Sequence, residues 1–264
     1  MRAGGGESNF DWQAFYVRVI SVFGILIAGY ILILSMIRGS GVKGFVPAAL
    51  TFLIASLSGR FIRTDNAVKK DALPVRELLV ISACFLTAGT LFISQVRLLP
   101  ESDPREVVEM AEQLVNGDVS CMLPGEYMYR YPYQSGVVLY VMAATVIAGS
   151  ANTMLVEMIN LCAWIGMLWL FSHLAALLWE TPVITKTVPL AASLFLPALF
   201  DTLDVYGISL GIFFSLAAVD CAVFSIKKRR AVMMLPAALL LTAGIFFKSN
   251  SKIWGLGILA ILFV

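Results

Sequence analysis

The sequence predicts an all-α polytopic membrane protein, with about eight transmembrane helices, a short re-entrant helix and an amphipathic helix in the first large outer loop. Three observations carry that expectation. Of the 264 residues, 59% are hydrophobic and 14% charged, against about 25% charge in a soluble domain, and the mean hydropathy is +0.87. The apolar residues fall in runs, several of them near the roughly 20 residues a helix needs to cross a hydrocarbon core of about 30 Å. Lys and Arg are spread unevenly over the links between runs, and that bias sets orientation.

The remaining composition narrows the function. A net charge of +2 is too small to point to nucleic acid, so the expected surroundings are a lipid bilayer. Cys84, Cys162 and Cys221 lie in apolar runs and Cys121 in a polar loop. With no C-x-x-C spacing, neither a zinc site nor thiol redox chemistry is indicated. The first 16 residues lack the compact n-region and small-residue cleavage site of a signal peptide, so the first apolar run reads as a retained anchor.

In chain order, 16–37 is a full span, 38–44 a short link and 45–59 a shorter apolar segment, together a tight helical hairpin. The interval 60–77 carries Arg60, Arg63, Lys69, Lys70 and Arg76 and is expected on the cytoplasmic side. Residues 1–77 are thus an N-terminal hairpin extension with a basic loop, and 78–264 a transmembrane module. Segment 78–95 crosses outward and opens the outer loop 99–135. That loop holds Glu101, Asp103, Glu106, Glu109, Glu112, Asp118 and Glu126 against Arg105 and Arg130, and this scarcity of Lys and Arg fits a translocated side.

Segments 136–149, 151–179, 187–200, 207–226, 231–247 and 253 onward follow. If each crossed once, Lys227-Lys228-Arg229-Arg230 would lie outside, against the bias. Segment 136–149 resolves the conflict, because its fourteen residues span only about 21 Å. It reads as re-entrant or surface-lying. Asp201, Asp204, Lys248 and Lys252 then share the outer face with the loop. The chain closes inside an apolar run at 261–264, so it is expected to be the N-terminal part of something longer and inactive by itself.

Within the outer loop, Asp103 can cap a helix whose first position is Pro104 and whose Glu106 completes a capping box. Val107, Met110, Ala111 and Leu114 share one face, and Gly117 ends the helix. Arg130 sits among Tyr127, Tyr129, Tyr131 and Tyr133, either as an interfacial anchor or as a phosphate fork. Asp201 and Asp204 are link residues or a second acidic site. Lys248 and Lys252 stand at helix ends on the outer face, where an anionic ligand would account for them. Glu157 and Asp220 fall inside apolar runs, where ionisable groups are costly and count as functional candidates. His173 reads as a satisfied core residue. No metal-ligand constellation is present in the sequence.

The pieces SDPREVVEMAEQLVNG, YRYPYQSG, DTLDVYG and FKSNSKIW, in this order, resemble the GT-C superfamily. These are polytopic glycosyltransferases that use polyprenyl-phosphate-linked sugars, here in particular the protein-O-mannosyltransferase and aminoarabinose-transferase-like branch. The resemblance runs from about residue 78 to the C-terminus. Tyr131-Pro132-Tyr133 stands where a double proline is common, and Ser249-Asn250 follows Lys248 where Gly-Pro is common. The resemblance implies Asp103 as catalytic base, Arg130 and Lys248 as contacts to the donor phosphate, and Asp201 or Asp204 as a second acidic site. It implies inverting transfer of a sugar to a hydroxyl of a cell-surface glycan, lipid or protein, on the outer face of the plasma membrane. The polyprenyl-phosphate sugar would be a substrate; no cofactor is specified, and a divalent metal requirement stays open. Two other classes compete. One is a transporter or flippase of lipid-linked saccharides with Glu157 and Asp220 along its path, and the other a non-catalytic scaffold.

Overall fold

Residues 74–96, 100–149, 153–179, 181–195 and 197–262 are described by the structure, a computed structural model. The expected hairpin 16–59 and its basic loop, up to residue 73, lie outside them. The described residues are helical and contain no strand.

The chain enters through α1, Val75–Gln95, and crosses the acidic loop through the amphipathic α2, Asp103–Val115. A short turn of helix, α3, Tyr127–Arg130, leads into α4, Ser135–Ala148. The long α5 spans Met154–Trp179. Two short pieces, α6 Pro182–Ser193 and α7 Pro197–Asp201, precede α8, Ile208–Lys227. The last two are α9, Met234–Phe247, and α10, Lys252–Leu262. Helices α1, α5 and α8 are long and apolar enough to cross a membrane. The expected span 187–200 is not one continuous helix, because the chain leaves helical geometry after Ser193 and restarts at Pro197. A proline is well suited to open a helix and poorly suited to continue one.

Side-chain contacts fix the directions. Helix α5 runs back along α1, with Trp169 donating to Ser82 at 3.0 Å and Leu161 filling the space beside Gly89. Pieces α6 and α7 together climb again beside α1. Lys186 meets Glu77 at 2.8 Å near one end, and the rings of Phe200 and Phe92 meet at 5.2 Å near the other. Helix α8 then runs parallel to α5, since Phe213 lies against Gly166 and Asp220 against His173. Helix α9 returns along α8, its Gly244 pressed onto Ser215 and Gly211. Ile258 of α10 joins Ala218, Ala222 and Ala237 in a small core.

One end of this bundle therefore holds residues 103, 156, 204 and 248, and the other holds 77, 186 and the basic 227–230 stretch. Helix α4 stays at the first end. Its Val137, Val138, Val141 and Ala144 pack with Val107, Met110 and Ala111 of α2 and with Val156 and Val205. Tyr140 donates to the Val156 carbonyl at 3.3 Å and meets the Phe247 ring. These contacts keep α4 against α2 and the start of α5 at this end of the bundle. The arrangement yields a first expected result. In a background without the native cysteines, Asp201→Cys and Lys228→Cys should react with an impermeant maleimide from opposite sides of a sealed membrane. Labelling from one side would show that α8 does not cross.

Candidate functional site

The site begins where α2 begins. Ser102 occupies the N-cap with a left-handed φ of 58° and makes no side-chain cap bond. Its carbonyl alone starts the helix, accepting the N–H of Arg105 at 3.0 Å and of Glu106 at 3.2 Å. The expected capping role of Asp103 is thus not what its side chain does. As the first residue of the helix, Asp103 turns its carboxylate to Tyr206, whose hydroxyl donates to Oδ2 at 2.9 Å. A short intrahelical pair, Arg105 to Glu109 at 2.6 Å, lies on the exposed side of this turn, where solvent screening leaves it little weight.

Tyr206 belongs to the link between α7 and α8, and the link is tightly specified. The buried amide of Asn160 in α5 donates to the carbonyl of Asp204 at 2.6 Å and to that of Thr202 at 3.3 Å. Val205 is buried in the core beneath α2 and α4, which turns its two neighbours the other way. Gly207 then takes a left-handed φ of 79° in close quarters, where a Cβ would stand 2.7 Å from the Phe247 carbonyl. Only glycine adopts that conformation without strain.

Around the Tyr206 hydroxyl a network closes. The side-chain amide of buried Gln134 donates to it, and the Tyr127 phenol lies beside both Tyr206 and Asp103. Burial, reinforced by these two neighbours, pushes the Tyr127 phenol well above its ordinary pKa. Burial likewise raises that of Tyr206. Both phenols therefore stay protonated at neutral pH, and Tyr206 donates to the carboxylate.

The face of the Tyr206 ring carries the cation. Lys248, just past the end of α9 in extended backbone, places Nζ 3.4 Å from the ring centroid, a cation–π contact. Burial lowers the lysine pKa, and the charges of Asp204 and Asp103 oppose that shift. Asp204 is the counterpart. Burial raises its carboxyl pKa, against the backbone N–H groups of Tyr206 and Ile208 and the charge of Lys248. Its Oδ2 is enclosed and has no hydrogen-bond partner. An ammonium drawn partly out of water attracts an anion more strongly than a solvated one.

Of the residues singled out in the sequence, Asp103 and Lys248 thus meet on the Tyr206 side chain, with Asp204 two residues before it in the same link. Asp201, the last residue of α7, is half-buried with its own pKa raised by burial, and its charge adds to the rise at Asp204. Its carbonyl accepts the Ser209 hydroxyl at 3.1 Å. Arg130 lies on the exposed side of α3, its N–H bonded to the Glu126 carbonyl, and is not among the residues that reach the ring. Lys252 is exposed at the start of α10. Among the described residues no group of three or more His, Cys, Asp and Glu side chains gathers closely enough to hold a metal ion. Glu157 is buried in the first turn of α5, accepting the Thr153 hydroxyl at 2.7 Å. Asp220 bonds His173 at 2.8 Å across α5 and α8, so each satisfies the other.

Tyr206, Tyr127, Gln134 and Asn160 were not legible as site residues. The available signal was slight: in Asp204-Val205-Tyr206 one apolar residue separates two polar ones, and Asn160 stands within an apolar helix. Comparison of the chain with protein-family models, with curated proteins and with solved structures gave no match.

Proposed function

We propose that the chain is a membrane glycosyltransferase of the GT-C kind, moving a sugar from a polyprenyl-phosphate donor to a hydroxyl of a cell-surface acceptor with inversion. One observation carries this reading. Asp103 and Lys248, far apart in sequence, meet on the Tyr206 side chain, with Asp204 in the same link, at one end of a bundle of apolar helices. A donor with its lipid tail in the bilayer presents its phosphate and sugar at that level.

In this reaction the acceptor hydroxyl gives its proton to Asp103 as its oxygen attacks the anomeric carbon. The bond from that carbon to the phosphate oxygen breaks, and the electron pair leaves with the phosphate. Lys248 stabilises the charge that gathers there. Tyr206 holds base and cation in register, its hydroxyl on one and its ring under the other. The charge of Asp204 favours the ammonium form of Lys248. Arg130, on the adjoining turn, is available to the donor only if the loop closes over it. In this reading the site faces away from the cytoplasm in the plasma membrane.

The test is sugar transfer from a radiolabelled polyprenyl-phosphate sugar in membranes, with substitutions made in the gene at its own locus. Lys248→Met is expected to lower transfer by about 10²–10³-fold, the loss seen when one preorganised charge-stabilising group is removed, with protein level unchanged. Transfer at the parental rate would remove Lys248 from the mechanism.

A further inference from the structure

The turn that carries Arg130 holds a ladder of tyrosines that begins at the carboxylate and ends in solvent. Tyr127 lies beside Asp103 and Tyr206. Its ring lies 4.8 Å from that of Tyr131, and Tyr131 stands 6.0 Å from Tyr133, nearly edge-on at 74°. Tyr131 is 40% exposed and Tyr133 52%. The scaffold beneath is fixed. Met128, on the other side of the turn, is buried against Cys121. The Tyr131 N–H bonds the Tyr127 carbonyl at 2.8 Å, and Ser135 Oγ bonds the Pro132 carbonyl at 2.6 Å.

We propose that this ladder is a docking platform for the acceptor, and that the acceptor is a neutral saccharide chain whose rings stack on Tyr131 and Tyr133 and whose terminal hydroxyl reaches Asp103. The proposal rests on the glycosyl-transfer reading for its last clause, while the docking stands on the ladder itself.

Three features select this occupant. Aromatic faces carry negative charge density and attract the polarised C–H bonds on the face of a sugar ring. Tyrosine offers that area at small entropic cost, having two χ angles. The surrounding charge is unfavourable to an anion. From Glu101 to Gln134 the loop carries Glu101, Asp103, Glu106, Glu109, Glu112, Asp118 and Glu126 against Arg105, paired with Glu109, and the exposed Arg130 beside Tyr131. That field disfavours an anionic polymer or an anionic lipid surface. Tyrosines also serve as bilayer-interface anchors, the competing use of the same side chains.

The experiment uses the full chain in nanodiscs of zwitterionic lipid, without donor. Neutral linear gluco-, manno- and galacto-oligosaccharides, from disaccharide to hexasaccharide, are titrated and read by saturation-transfer-difference NMR. At least one series is expected to bind, more tightly with length. Tyr131→Ala and Tyr133→Ala should each weaken it about tenfold, while Tyr131→Phe, which keeps the ring, holds near-parental affinity. Absence of binding in every series, or equal binding by the alanine variants, overturns the proposal. So does the anchor outcome, in which brominated lipids quench tyrosine fluorescence in the parent, quench it less in the alanine variants, and oligosaccharide binding is unmoved. Because binding is read without donor, its failure leaves the transfer assays on Lys248 and Asp103 as an independent test of the reaction.

Discussion

Asp103→Asn should lower sugar transfer by roughly 10²–10⁴-fold, the contribution of a positioned general base. The substitution is informative because it separates position from proton affinity. The amide is nearly the same shape as the carboxylate, and its oxygen can still accept the Tyr206 hydroxyl that now bonds Oδ2 at 2.9 Å. What it cannot do is take a proton from an attacking hydroxyl. Asp103→Ala would confuse the two, leaving the phenol of Tyr206 without its acceptor. The measurement is the initial rate of transfer in membranes, normalised to protein level, together with thermal unfolding in detergent. The unfolding midpoint should stay near the parental one while the rate collapses. A rate close to the parent's would show that another group accepts the proton and would end the mechanism proposed above.

Gly136→Ala should be the most disruptive single methyl group in the described fold. A Cβ built there would stand 1.8 Å from the Phe246 carbonyl oxygen. That oxygen belongs to the helix backbone and has no rotamer to move to. Helices α4 and α9 must therefore separate, at a cost at or above the roughly 1–3 kcal/mol of ordinary overpacking. The displacement also reaches the site, because Gln134 precedes Gly136 by two residues and Lys248 follows Phe246 by two. A lower unfolding temperature and impaired transfer are both expected. Gly257→Ala is the matched control, since nothing lies within 4 Å of a Cβ at that position. Equal behaviour of the two variants would mean that α4 and α9 are not in contact.

Much of this architecture was legible because the forces that decide it act locally. The apolar runs announce α1, α5 and α8, and the four-residue spacing of Val107 and Ala111 announces the buried face of α2. Gly117 has the positive φ that its place after the helix requires. The short length of 136–149 and the basic 227–230 stretch together implied a helix that does not cross, and with it one face shared by the loop, Asp201, Asp204, Lys248 and Lys252. The cap at α2 shows where local reasoning stops. Ser102 and Asp103 are both good caps, and nothing nearby distinguishes them. The choice is made by a phenol 103 residues away. The same holds for Tyr206, whose local surroundings are a short link and whose function lies in partners from three other segments. The break between α6 and α7 was marked by Pro197, but the apolar run on either side hid it.

The clasp of Asn160 on two carbonyls has a mechanical corollary. By suspending Thr202 and Asp204 from one amide, it indexes the acid-bearing link to α5. Lys248, in contrast, hangs from the end of α9. The gap between the buried Asp204 carboxyl and the cation is therefore a relative coordinate of two helices and not an internal dimension of one loop. A displacement of α9 against α5 changes that gap without any change inside the link itself.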